Sequence, residues 1–351
     1  MLGAMKRITV HDVAEQAGVS LATVDRVLNR RSGVSSAMSE RVRATIDRLG
    51  FQRDHFAASL ATSRRHRFVF VLPKLDSNTF IRTLRDEITA QVAALSSRRI
   101  QLSVLDYTAF DPQALAATLR AAARPAAGGQ PLDGLALVAI DAPAVRAAIE
   151  VLHESGIAVI TMVSDVTPSR RLHCIGIDNL AAGRVAASLI GRFNAGRRGR
   201  VAMVAGSLAL RDHSERALGF TQVMQQDYPH LALLPAAEAL DDGKLAGGVT
   251  RALLAEHDDL IGIYSIGAGN RGIIEAVEAS GRQHDIVLVG HELTTHTRRA
   301  LLGGTFDAVL HQQVSDEVTV AVDALMAAST GVTGHVPAPI RIDIFLRDNI
   351  S

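Results

Sequence analysis

Asp12-Val-Ala-Glu-Gln-Ala-Gly-Val-Ser20-Leu-Ala-Thr-Val-Asp-Arg26 decides how this 351-residue chain is organised. Its spacing predicts two short helices joined by a tight turn. Val13, Ala14 and Ala17 recur at helical intervals and Gly18 supplies the turn. Ser20 offers an N-cap to a second helix carrying Val24, Val27 and Leu28. Thr9, with Asp12 three residues on, is a capping-box-like start for the first helix. A helix of small and apolar residues, a Gly-centred turn and a capped helix make a helix-turn-helix. Ser20, Thr23, Arg26, Asn29, Arg30 and Arg31 give the second helix and its exit the polar equipment of a DNA-reading face.

Charge supports that reading through its distribution and not its total. Formal net charge is +1, but residues 1–66 hold 11 Lys and Arg against 6 Asp and Glu, or +5, leaving −4 for the rest. A basic head on a mildly acidic body suits a nucleic-acid partner at one end only. Hydrophobic content of 48% and charged content of 21% are those of a soluble globular protein, long enough for two or three domains. Cys174 is the single cysteine, which excludes an intramolecular disulfide and suits a reducing compartment. No signal-like opening and no apolar run of membrane-spanning length is found, so a cytoplasmic protein is expected, with no membrane partner.

After the recognition helix a loop leads to a third helix over about residues 36–49. There Val42, Ile46 and Leu49 would close a three-helix core over Val13, Ala17 and Val24. Residues 55–62 are small and precede the basic run Arg64-Arg-His-Arg67. A helix this short is unstable alone, so the segment reads as a linker that is ordered only when held. From Arg67 onward, apolar strand candidates at 68–72, 102–105, 135–140, 158–162, 174–177, 201–205, 261–266, 286–289 and 308–310 alternate with amphipathic stretches such as 181–193 and 271–279. That pattern means parallel sheets covered on both faces, and its length favours two similar lobes.

These residues resemble the LacI/GalR family of bacterial transcription regulators along nearly the whole chain. The match is specific in the run from Ile8 to Asn29, in Gly33-Val34-Ser35, Arg41-Val42 and Leu49-Gly50-Phe51, and in Ala57-Ala-Ser-Leu60-Ala, which matches the hinge helix. In the body it rests on Ile177-Asp178-Asn179, on residues 206–220 and on Val289-Gly-His-Glu292. The resemblance implies a small all-α helix-turn-helix domain (5–53), a hinge helix and linker (54–66), and an α/β two-lobed, periplasmic-binding-protein-like domain of doubly wound parallel sheets (67–351) for ligand binding and dimerisation.

It also implies roles. Leu21 and Ala22 fall on positions that meet base edges, and Arg26 on a base-contacting arginine, a residue suited to guanine. Ser20, Thr23 and Asn29 fall on phosphate-holding positions. Ala57 belongs to the hinge helix, and Leu60 to the leucine that such helices insert into the minor groove. Two departures stand out: Asp25 occupies a position where many members carry serine, and Arg53 replaces a proline before the hinge.

In open α/β folds ligands bind beyond the carboxyl ends of the strands. Polar residues just past strand ends are therefore the ligand candidates: Asn78, Phe80, Asp141, Arg211, Arg216, Asn270, Glu292 and Gln312. Charged and amide groups around an aromatic face suit a carbohydrate or polyol, because each hydroxyl needs a partner. Asp178 reads instead as the N-cap of the next helix.

Gly267-Ala-Gly-Asn-Arg-Gly272 matches a dinucleotide fingerprint, G-x-G-x-x-G. Against it, the motif lies late in the chain, and Asp285, about where an acidic ribose partner is expected, begins the next strand instead of ending it. The plainer reading is a glycine-rich turn at the mouth of the ligand cleft, with a nicotinamide-dependent enzyme as the competing function. His284, His291, His296 and His311 lack zinc-ligand spacing, and no nucleophile elbow or Walker loop is present. The expected protein is a homodimeric regulator, a repressor in preference to an activator. It would read a pseudo-palindromic double-stranded DNA operator under control of a sugar-like effector, with no cofactor, no metal and no catalytic residue.

Overall fold

The computed structural model describes residues 8–28, 33–49, 64–75, 77–124, 130–332 and 334–350. Two compact units divide the chain, one of residues 1–65 with 326–335 and the other of 66–325 with 336–351.

In the first unit, helices α1 (Val10–Ala17), α2 (Leu21–Leu28) and α3 (Ser36–Leu49) follow the boundaries that the caps dictate. Thr9 and Asp12 form a reciprocal capping box, with the Thr9 amide donating to Asp12 Oδ2 at 2.7 Å. Gly18 turns the chain at φ 64°, a left-handed conformation that glycine adopts without steric cost. Val13, Ala14, Ala17, Val24, Val27 and Val42 form the core, with Ile46 and Leu49 packed against it. The three-helix core expected from spacing is present. The hinge segment and its residues Ala57 and Leu60, with Asn29, Arg30, Arg31 and Arg53, lie outside the described residues.

The second unit holds two sheets. β1 (His66–Lys74), β2 (Ile100–Thr108), β3 (Gly134–Leu137), β4 (Ala158–Met162) and β5 (His173–Ile175) form a five-stranded sheet, ordered β2-β1-β3-β4-β5 and parallel throughout. Helices α4 (Thr79–Ser97), α5 (Pro112–Ala123) and α6 (Pro143–Glu154) connect its strands. Val69, Val71, Leu115, Leu119, Leu135, Leu137, Ile149 and Leu152 make this lobe's core.

The chain then crosses to the second lobe. Its strands are β6 (Gly199–Ala205), β7 (Leu231–Leu233), β8 (Ala237–Glu238), β9 (Leu260–Ser265), β10 (Val287–His291), β11 (Ala308–His311) and β12 (Asp343–Phe345). They run in the order β12-β11-β10-β9-β6-β7, with β8 also paired to β6. All pairs are parallel except β11 with β12. The helices are α7 (Asn179–Phe193), α8 (Arg211–Asp227), α9 (Gly243–Glu256), α10 (Asn270–Ala279) and α11 (Thr295–Gly303). After β11, α12 (Val314–Ser329) returns to the first lobe, where Leu325 packs over Gly134 so closely that a Cβ there would lie 2.7 Å from it. The chain then crosses back to place β12.

The two-lobed α/β architecture is the expected one, and all nine apolar runs lie on or overlap strands. β7, β8 and β12 were not expected. They are two or three residues long and only half-buried, so no apolar run marks them. β12 also adds one antiparallel edge to an otherwise parallel sheet.

Candidate functional site

The carboxyl ends of both sets of parallel strands converge on one cleft of about 810 Å³. That volume falls within the usual range for small-molecule sites. Six of the eight sequence-predicted ligand residues line it: Asn78, Phe80, Arg216, Asn270, Glu292 and Gln312.

Arg216 is held rigidly at 4% exposure. Its Nε donates to Asn179 Oδ1 at 2.8 Å and its Nη1 to the Ile266 carbonyl at 3.0 Å, at the end of β9. Asn179 in turn donates from Nδ2 to the Val163 carbonyl, just past β4 of the first lobe, at 3.3 Å. The close crossing of α7 and α8 makes this possible. A Cβ at Gly183 would sit 2.0 Å from the Arg216 carbonyl oxygen, and one at Gly219 would sit 2.1 Å from that of Leu180.

Beneath Arg216 lies an aromatic layer. Phe220 stacks on Tyr264 with ring centroids 4.7 Å apart, and the Tyr264 hydroxyl bonds His291 Nε2 at 2.7 Å. Burial, then the positive charge of Arg216, hold the His291 imidazole well below the usual histidine range, so it is neutral here. Asn270 Nδ2 donates to the His291 carbonyl at 2.9 Å. Glu292, with φ 70°, accepts from Gln312 Nε2 and pairs with His311 Nδ1, both at 2.9 Å.

Asp141 and Arg211 do not line the cavity wall. Asp141 lies two residues before α6 and accepts from Arg146 at 3.0 and 2.6 Å. Arg211 opens α8, binds Glu215 at 2.7 Å, and reaches the first lobe at Thr167 Oγ1, with Asp141 Oδ2 3.7 Å away. The two residues thus meet as a bridge between lobes. Asp178 is the expected N-cap, accepting from the Ala181 amide at 2.8 Å.

The sequence reading missed Tyr107, Asp212, His213 and Asp241, all cavity-lining. Asp241 is the most consequential. Its Oδ2 accepts from Asn78 Nδ2 at 3.2 Å and its Oδ1 from the Ala268 amide at 2.8 Å. A Cβ at Gly206 or Gly267 would meet Oδ1 at 2.2 or 2.6 Å. The glycine at 267 therefore makes room for an internal carboxylate, which already takes the loop amide that an anionic ligand would need. Gly272 serves packing, since a Cβ there would lie 1.7 Å from the Gly243 carbonyl oxygen. The fingerprint spacing has a structural cause. Asp241 escaped notice because the strand before it, β8, has two residues and no apolar signature. Among the described residues, no cluster of three or more His, Cys, Asp or Glu is placed to hold a metal, and no helix is long and apolar enough to cross a membrane.

On the head, Ser20 caps α2 through its Oγ, which accepts from the Thr23 amide at 3.2 Å. Val24 and Val27 face the core, whereas Ser20, Leu21, Ala22, Asp25 and Arg26 are exposed; Leu21 is 42% exposed although it is large and apolar. Thr23 is partly buried and pairs with Ser20 Oγ at 2.9 Å.

A sugar-binding-protein-like body of two α/β lobes with a helix-turn-helix head defines a class of ligand-responsive DNA-binding regulators. A family model described as a periplasmic binding protein domain matches residues 68–333, and one for bacterial regulatory proteins of the lacI family matches 9–54. The body of the chain belongs to the periplasmic-binding-protein domain family and its head is a lacI-family regulatory domain, and its homologues are LacI-family transcriptional regulators. It is 26% identical over 306 residues to the HTH-type transcriptional regulator CelR of Thermobifida fusca, covering 84% of this chain and 85% of that one. It is 51% identical over 55 residues to the maltose regulon regulatory protein MalI of Escherichia coli, a match spanning 16% of each chain. Among solved structures, a glucose-galactose binding protein from Geobacillus stearothermophilus superposes with TM-score 0.72 at 22% identity, over 82% of this chain and 99% of that one. A solute-binding protein from Burkholderia graminis in complex with D-arabinose gives 0.73 at 21%, over 81% and 96%. At these identities the likeness to the two structures is one of fold.

Proposed function

We propose that this chain is a cytoplasmic homodimeric repressor, whose paired heads bind the halves of a pseudo-palindromic operator and whose cleft binds a carbohydrate or polyol that releases it. The observation that carries the effector reading is the unsatisfied floor of the cleft. Asp212 Oδ1, Asn270 Oδ1, Gln312 Oε1 and His291 Nδ1 are all buried in cavity-lining residues without a hydrogen-bond partner. A buried polar atom left unpaired costs about 1–3 kcal/mol, and a polyhydroxylated ligand supplies partners to several at once. Three of the four are oxygen acceptors, so they call for donors, as hydroxyl groups are. Relatives and fold neighbours that include a maltose regulon regulator, a glucose-galactose binding protein and a solute-binding protein in complex with D-arabinose point the same way.

In this reading Leu21, Ala22 and Arg26 meet base edges, Ser20, Thr23 and Asn29 hold phosphates, and Ala57 and Leu60 belong to a hinge that bends the operator. Asn78, Phe80, Arg216, Asn270, Glu292 and Gln312 contact the effector. Effector and operator are then linked reciprocally, each weakening the other by the same factor. The test is an electrophoretic shift on a duplex selected from a randomised pool, titrated with sugars and polyols that raise the melting temperature. Release by a stabilising sugar is expected. A protein that selects no duplex sequence, or whose selected duplex is indifferent to every stabilising sugar, is not this regulator.

A further inference from the structure

The cleft separates its charges. Almost every carboxylate in the wall is already engaged: Asp241 by Asn78 and Ala268, Asp242 by the Lys244 and Leu245 amides, Glu275 by Arg271, and Glu292 by His311 and Gln312. Asp212, deep in the floor, keeps one oxygen open. The cations are different. Among the described residues Arg82, Lys244 and Arg251 line the same cavity, are exposed, and have no acidic partner.

They also approach from both lobes. Arg82 lies in the first turns of α4, whose N-cap is Asn78, and Lys244 in the first turn of α9, whose N-cap follows Asp241. The 3.2 Å Asn78–Asp241 bond draws these two helix starts together. Between Lys244 and Arg251 the wall is partly bare backbone, with Gly243, Gly247 and Gly272 all cavity-lining. Arg251 Nη1 passes 3.4 Å from where a Gly247 Cβ would be. Three cationic side chains with no ion-pair partner among the described residues, on the wall of one cavity, suit a negative group on the ligand.

We infer that the effector is an anionic carbohydrate: its hydroxyls satisfy the acceptor-rich floor, and a carboxylate or phosphate at its other end lies between Arg82, Lys244 and Arg251. This rests on the reading of the cleft as a carbohydrate site and adds the ligand's charge. Arginine forks take either anion bidentately, and lysine adds a point charge.

The experiment is calorimetric titration of the full-length protein with matched sets of hexoses and pentoses, the corresponding aldonic acids, and the corresponding sugar phosphates. Inorganic phosphate alone is a further arm. The same titrations are run on Arg82→Gln/Lys244→Gln/Arg251→Gln, with its melting temperature checked against wild type. At least one acid or phosphate is expected to bind about tenfold or more tightly than its neutral parent, from charge-assisted hydrogen bonds. That preference should shrink with added salt and fall close to unity in the triple variant. The aldonate and phosphate arms identify which anion is preferred, while tight binding of inorganic phosphate alone would overturn the need for a sugar. A neutral sugar that binds with no charged member preferred, or a preference that survives in the triple variant, overturns the inference and leaves the carbohydrate site standing. Failure of every member to bind overturns both.

Discussion

Asn78 and Asp241 join the two lobes directly, Nδ2 of the first donating to Oδ2 of the second at 3.2 Å across 163 positions of chain. The same carboxylate secures the Ala268 amide at 2.8 Å, so one side chain couples the closure of the cleft to the shape of the loop after β9. Asp241 is 5% exposed and sits at φ 55°, a conformation that aspartate tolerates better than most residues.

Replacing Asp241 by Ala should therefore do more than remove a possible ligand contact. It leaves the buried Asn78 amide and the partly buried Ala268 N–H without their acceptor, costing on the order of 2–4 kcal/mol together. Asn78→Ala loses only the bond between lobes and the cap of α4, whose Ile81 amide donates to Asn78 Oδ1 at 3.1 Å. Small-angle scattering should show a larger radius of gyration for Asp241→Ala than for wild type, and denaturant midpoints should fall in the order wild type, Asn78→Ala, Asp241→Ala. Unchanged scattering in both variants would exclude this bond as a closure contact.

Gly219→Ala tests the helix crossing that carries Arg216. The added methyl would lie 2.1 Å from the Leu180 carbonyl, so α7 and α8 must separate, at a cost of about 1–3 kcal/mol by overpacking. Because Arg216 stands on α8 and bonds Asn179 on α7, sugar affinity should drop together with stability. A control at Gly248, inside α9 with nothing within 4 Å of a new Cβ, should leave sugar affinity unchanged and raise stability by about 0.5–1 kcal/mol through helix propensity. Equal behaviour of the two alanine variants would refute the close-crossing argument.

Glu317 makes stability depend on pH. It is fully buried on α12, and neither carboxyl oxygen has a partner among the described residues. Burial, then the neighbouring Glu292 charge, push its carboxyl well above the usual glutamate range, while Arg216 pulls the other way. The folded chain therefore holds this proton more tightly than the unfolded one. The stability it contributes is complete below the ordinary value of 4.5 and is lost as pH rises through the elevated folded value. Glu317→Gln has no such proton to lose. Its melting temperature should exceed that of wild type by a margin that widens from roughly pH 5 to pH 9. Lowered His291 acts in the opposite direction, destabilising the fold as pH falls below its ordinary range, and does so in both proteins. Parallel melting curves across that pH span would show that Glu317 is not a buried acid.

What the sequence determined alone is what short-range chemistry determines. The head was legible because its signals lie within a few residues of one another: the Thr9–Asp12 box, the Gly18 turn, the Ser20 cap and apolar spacing at 13, 17, 24 and 27. The body's layered class was legible because buried parallel strands need unbroken apolar runs. The cleft was legible only in part, since strand ends locate a site without orienting each side chain. Arg211 and Arg216 share α8, but five residues on a 3.6-residue turn point about 140° apart. Arg216 consequently lines the cleft while Arg211 bridges to Thr167 and Asp141 outside it. Asp241 shows the other limit. Nothing local marks it, and its role comes from Asn78 on the opposite lobe and Ala268 in the adjacent loop, partners that only the packing of two sheets brings within hydrogen-bond reach.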